Sequence, residues 1–441
     1  MSTNIKPRER NAILQSLRAG VVPRIGLRHI QVGRKNEVEA LIRDFERIED
    51  ESATVRFIIG HFGSGKSFFL NLCEMIAMER RLVVVRADIT PDHRLHSTSG
   101  HARKLYSELM RNMSIRSKPE GGALPSIVEQ WISIVDHEIR ANGGSTSEVS
   151  KAISNKLSCL QEHVSGYDFV TVVGKYYEGY QNDNEHLRSA ALRWLRGEYE
   201  LKTEAREALG VRSVIQDQDI YAYLKLMASF CRLAGYRGLL VCLDEMGVFS
   251  DRLNNSQSRN ANYEMILRIV NDCLQGDVEG LGFIFAGVNS FLEHPRRGMA
   301  SYEALATRLA DNQFAKEGLK DYSSPVIRLE NLAVEDLYVL LMNIRSVFAG
   351  GDPAKYLVPD EALEVFLQHC SQTLGAQFFQ TPRDSIKAFV GLLSVLEQNP
   401  NADWRSLLKG TTIENVGPSD NEGEISADDE SDDSELASFK L

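Results

Sequence analysis

The sequence predicts an α/β fold built around a parallel sheet. Three observations carry this. First, short apolar runs ("TVRFIIG", "LVVVRADI", "RGLLVCLDE", "GLGFIFAGVNS") read as strands, and the last two, flanked by glycine, have the pattern of strands buried on both faces. Second, these runs alternate with segments whose apolar residues recur at helical spacing. Third, a glycine-rich stretch, "GHFGSGKS", stands at the junction between the first strand and the helix after it.

The elements follow in order. Residues 1–10 read as disordered. "NAILQSLRA" (11–19) reads as a short amphipathic helix ended by Gly20 and Pro23. "VGRKNEVEALIRDFERI" turns at Gly33 and then repeats apolar residues helically at Val38, Leu41, Ile42 and Phe45. A strand ends at the glycine loop, "SFFLNLCEMIAMER" is a helix, and "LVVVRADI" is the second strand. A long helical region then occupies about 100–235. Ser145-x-x-Glu148 is a capping-box signature within it, and Gly235 stands like a C-terminal cap after "DIYAYLKLMASFCRLA". Two further strands lead to a helical segment from about residue 333. No internal repeat is found. The expected divisions are an arm (1–32), a first core part (33–99), a helical insertion (100–235), a second core part (236–330), a helical lid (331–411) and a disordered tail (412–441).

Composition narrows the function classes. The chain has 441 residues and a formal net charge of −11. Residues 412–441 hold ten acids and one base, so the tail accounts for −9 and the body is near neutral. Any nucleic-acid contact therefore needs a local patch rather than a basic protein. No apolar run reaches the ~18 residues of a membrane span, and the N-terminus lacks the apolar core of a secretory signal, so the expectation is a cytoplasmic protein with no membrane partner. Six cysteines without a CxxC pair read as reduced, buried thiols.

The glycine stretch fits G-x-x-x-x-G-K-[ST] at every position: Gly60, His61, Phe62, Gly63, Ser64, Gly65, Lys66, Ser67, with Phe68 next. Glycines allow backbone N–H groups to wrap phosphate oxygens at a helix N-terminus. Lys66 would reach the terminal phosphates and Ser67 would ligate Mg²⁺, so the expected cofactors are ATP and Mg²⁺. In "GLLVCLDE", Asp244 would hold Mg²⁺ through water and Glu245 would orient the attacking water. "LRSAALRWLRGE" offers Arg188, Arg193 and Arg196 beside Trp194, either a phosphate-contacting patch for DNA or a solvated helix face.

"VGRKNEVEAL", the two stretches above and "FIFAGVNS" together resemble the AAA+ superfamily, in its initiator and STAND-like branch. More narrowly, "ILQSLRAGVVPRIGLRHIQVGRKNEVEALIRDF", "RFIIGHFGSGKSFFLNL", "ALRWLRGE" and "TPRDSIKAFV" resemble the BREX-type ATP-binding proteins of bacterial anti-phage systems, including BREX and the related Shango type. The resemblance covers about residues 10–400. It implies an AAA+ P-loop NTPase core with a helical lid, assembly with copies of itself, for example as a ring, and a helicase or nuclease partner from the same system. It implies Asn289 as the residue positioning the lytic water, against a plain polar strand end. It implies Arg308 as a finger toward a neighbouring subunit, against a surface ion pair, with Arg296 and Arg297 as rivals. It implies Arg383 as a phosphate-sensing arginine and Arg34 as a contact near the base, or a simple turn residue. The initiator branch usually appends a winged helix, and the stretch after Arg383 is too short for one. The function expected is an ATPase that drives or gates a defence complex acting on DNA. The alternative is an ATP-dependent assembly switch or structural adaptor with negligible turnover.

Overall fold

The computed structural model describes residues 5–162, 166–315, 320–374 and 382–409. The expected tail, 412–441, lies outside the described residues.

Helix α1 (Pro7–Arg18) begins four residues before the sequence suggests, within the stretch read as disordered. Pro7 occupies the first helical position, where its missing N–H costs nothing. Ile5 is buried just before the helix, and Arg10 donates to the Phe348 carbonyl at 2.8 Å, so tertiary packing orders a stretch whose composition gave no sign of it. After a left-handed residue at Arg34 comes α2 (Lys35–Glu49), then β1 (Ala53–Gly60), α3 (Lys66–Glu79) and β2 (Leu82–Asp88).

The expected helical region follows. It comprises α4 (His101–Arg111), α5 (Leu124–Ala141), α6 (Thr146–Lys156), α7 (Gly166–Gln181), α8 (Glu185–Leu195), α9 (Lys202–Leu209) and α10 (Ile220–Leu233). The capping box of Ser145 and Glu148 forms at the start of α6. The chain then runs through β3 (Gly238–Asp244), the short α11 (Val248–Asp251), α12 (Ser256–Gln275) and β4 (Leu281–Gly287). After α13 (Asn289–Glu293), α14 (Glu303–Arg308) and β5 (Val326–Leu329) it ends in α15 (Val334–Phe348), α16 (Asp360–Leu374), α17 (Pro382–Gln398) and α18 (Trp404–Lys409).

The five strands form one parallel sheet in the order β2-β3-β4-β1-β5. Every residue of β3 and β4 is buried, as near-continuous apolar runs require. Successive side chains face opposite layers. Ile58, Val84, Leu240, Cys242 and Ile284 pack with α2 and α3. Phe57, Val83, Val85, Val241 and Phe283 pack with residues of α4, α10 and α12. That second core continues without a break into α5, α7 and α8, so the long helical region is built onto a sheet face rather than standing apart from it. A third core joins α1 to α15, α16, α17 and α18. The N-terminal arm and the C-terminal helices, remote in sequence, thus share one bundle.

Five cysteines are buried and Cys159 is exposed, all as free thiols. No described helix is long and apolar enough to cross a membrane.

Candidate functional site

The glycine loop, Asp244 and Asn289 lie at the carboxyl ends of β1, β3 and β4, three adjacent strands of the sheet. Crevices outside strand carboxyl ends are where open α/β sheets bind ligands. Two glycines of the loop have separate reasons. A Cβ on Gly60 would lie 2.6 Å from Ser64 Oγ and 2.9 Å from the Leu329 carbonyl, so no side chain fits. Gly65 has open space around it but a φ of +89°, which L residues rarely adopt. It caps α3 and aims that helix's first N–H groups into the loop.

Lys66 Nζ donates to the carbonyls of Gly60 and His61, at 2.9 and 2.7 Å. Burial lowers its pKa, while the nearby carboxylates of Asp244 and Glu245 pull it back up. Ser67 Oγ donates to Asp244 Oδ2 at 3.3 Å. Asp244 is buried, and its Oδ1 accepts the backbone N–H of Glu245 at 2.9 Å. Both of its oxygens are therefore oriented. Two hard oxygen donors face one another here, the donor type Mg²⁺ takes when nucleotide phosphates and water complete its shell. Among the described residues no group of three or more His, Cys, Asp or Glu could hold a metal on its own.

Glu245 has a backbone φ of +57°, unusual for a residue with a side chain. This turn at the strand end leaves the residue exposed beside Asp244. Partial desolvation, with Asp244 and Asp88 nearby, raises its pKa despite the opposing charge of Lys66. Asn289 is the first residue of α13, and its Nδ2 lies 3.3 Å from His61 Nε2 in the glycine loop. Arg34 bridges two segments, donating to the carbonyl of Ser64 at 3.2 Å and to the carbonyl of Glu330 beyond β5. Arg383 lies in the first turn of α17, with its guanidinium 5.8 Å from the centre of the Phe62 ring. Phe68, on α3, packs against the bundle core.

The structure does not place every candidate in the crevice. Arg308 is held within its own chain: it donates to Asn271 of α12 and to the Ala304 carbonyl at 2.8 Å. Arg296 and Arg297 follow a turn in which their backbone N–H groups both donate to His294 Nδ1, at 3.2 and 3.1 Å. Their guanidinium groups have no hydrogen-bond or ion-pair partner among the described residues. The arginine patch is largely spoken for. Arg188 pairs with Glu185, Arg193 pairs with Glu204 at 3.1 Å, and Trp194 is buried with its indole N–H on the Ser213 carbonyl at 2.9 Å.

Sequence reasoning missed a polar layer beneath the crevice. Arg86 on β2 donates to Asp244 Oδ2 at 3.2 Å, to Glu74 Oε1 at 3.3 Å and to Asn71 Oδ1. Asn71 and Glu74 lie one and two turns below Ser67 on α3. Burial pushes the Glu74 carboxyl up to about 7, against the pull of Arg86 and with the help of Asp244. A signal was available: Arg86 interrupts "LVVVRAD", and Asn71 and Glu74 interrupt the apolar run of α3. Polar residues in such positions need partners once buried.

A parallel sheet with this glycine loop between β1 and α3, and an Asp-Glu pair ending β3, is consistent with a P-loop NTPase. The family comparison agrees. The chain belongs to the family of BREX system ATP-binding proteins BrxC/D, whose profile matches residues 5–412. This supports an ATP-binding role within a BREX defence system. No individual curated protein matches the chain.

Proposed function

We propose that the protein binds ATP with Mg²⁺ and hydrolyses it, and that turnover drives or gates a multi-protein defence complex acting on DNA. One observation carries the catalytic part of this reading: Ser67 Oγ and Asp244 Oδ2 meet at 3.3 Å, with the Glu245 carboxyl on the next residue. Mg²⁺ held there would neutralise charge on the transferring phosphoryl group. Lys66 would place a point charge on the terminal phosphates. Asn289 and Glu245 would order the attacking water from adjacent strand ends, with Glu245 accepting its proton. Arg383 would approach the phosphates from the bundle. Arg308, or Arg296 and Arg297, would complete a neighbouring subunit's site in a homo-oligomer.

The near-neutral body and the internally paired arginines of the helical region favour assigning the nucleic-acid chemistry to a helicase or nuclease partner. A second reading, an ATP-dependent switch with negligible turnover, draws on Arg308 being tied to its own chain.

Phosphate release by the full chain, with and without DNA, separates the two readings. The expected result is Mg²⁺-dependent release that is lost in Lys66→Ala and Glu245→Gln. ATP binding by calorimetry with no release, even with DNA and partner proteins present, would leave only the switch. Losing the Lys66 contact, a hydrogen bond to a charged group, should weaken ATP binding by about tenfold or more. Unchanged ATP affinity in a folded Lys66→Ala protein would refute the glycine-loop assignment itself.

A further inference from the structure

Phe62 is out of place as a loop aromatic. It sits at the second variable position of the glycine loop, 52% exposed, and belongs to none of the three cores. Its ring carries the guanidinium of Arg383, 5.8 Å from the centroid. Arg383 has no hydrogen-bond or ion-pair partner among the described residues; the aromatic face is the contact its charged end makes there. The stem of Arg383 is confined on another side. Its Cδ and Cγ lie 3.5 and 3.6 Å from where Gly20 would carry a Cβ. Gly20 has a φ of +69°, which favours glycine, and the stem passes this turn at contact distance. The arm, the glycine loop and the bundle therefore meet at one side chain.

We propose that Phe62 is a positioning residue for Arg383: its ring holds the guanidinium at the rim of the glycine loop, so that the C-terminal bundle presents a cation to the phosphates of ATP. The inference rests on the phosphate role of Arg383 proposed above. The chemistry asks for an aromatic in particular. A guanidinium over a ring is attracted by the negative π face, which an aliphatic side chain of similar size lacks, and tryptophan offers the strongest face. The contact is an exposed one, so it is worth about a two- to fivefold change in affinity.

The experiment is ATP–Mg²⁺ affinity, measured by calorimetry on the full chain, for wild type, Phe62→Leu, Phe62→Trp, Arg383→Ala and the double variant Phe62→Leu/Arg383→Ala. Phe62→Leu is expected to bind about two- to fivefold more weakly. Phe62→Trp should match or exceed wild type. The double variant should be no weaker than Arg383→Ala alone, because the ring acts only through the arginine. Wild-type affinity in Phe62→Leu, equal losses in Phe62→Leu and Phe62→Trp, or losses that multiply in the double variant would each overturn the proposal while leaving Arg383 its role. Wild-type affinity in Arg383→Ala would remove that role, and this inference with it. The glycine-loop reading is tested separately by Lys66→Ala.

Discussion

Glu74→Gln should flatten the pH dependence of stability. Glu74 lies in the layer under Asp244, with its side chain 16% exposed and 3.3 Å from Arg86. Burial pushes its carboxyl up to about 7 in the folded chain, against 4.5 for an ordinary glutamate. The folded state therefore holds this proton more tightly than the unfolded state. Such a group contributes its full stabilisation below the unfolded value and loses it as pH rises through the folded one. Integrated from pH 5 to pH 8, a shift of this size removes about 2–3 kcal/mol. Gln keeps an acceptor for Arg86 and does not titrate. Between those two pH values wild type should therefore lose about 2–3 kcal/mol more than Glu74→Gln. Asp88 and Glu245, also raised, contribute alike to both proteins and cancel in the comparison. The assay is urea unfolding at fixed pH without nucleotide or metal. Tryptophan fluorescence reports on the sheet-side core through Trp131 and Trp194, and on the bundle through Trp404. Equal pH slopes in the two proteins would refute the reasoning, because they would mean that Arg86 outweighs burial and holds Glu74 ionised.

Two further outcomes follow from the site. Glu245→Gln should lower turnover by about a hundredfold or more while ATP affinity stays within a few-fold, because the carboxyl acts on the attacking water and not on the phosphates. A parallel fall in affinity would place Glu245 in binding instead. Arg308→Ala should be inactive alone yet regain activity when mixed with Glu245→Gln, since about a quarter of the mixed interfaces would pair an intact site with an intact finger. No recovery, with subunit exchange confirmed by labelled chains, would pass the role to Arg296 or Arg297.

Much of this protein is decided locally. The strands are legible because burial on both faces demands unbroken apolar runs, and the Ser145–Glu148 cap because its two hydrogen bonds span three residues. The glycine loop is legible for the same reason: its demands on φ and on space at Gly60 and Gly65 fall within a single turn of chain. Asp244 and Glu245 stand out because charge ending an apolar strand breaks its pattern. Tertiary structure decided what depends on contacts between distant segments. The arm is held by Ile5, Ile13, Leu14 and Leu17 packing against α15 and α17, helices more than three hundred residues away. Arg86, Asn71 and Glu74 each look like an isolated blemish in an apolar run until the sheet brings β2 beside β3 and α3 lies across them. Arg308, the finger candidate of the resemblance, meets Asn271 because α14 packs on α12. Arg383 reaches the glycine loop only because the two ends of the chain fold into one bundle above it. A hydrogen-bonded turn or a buried strand is specified by neighbours within a few residues, whereas the partner of a buried charge is whatever the topology brings to it.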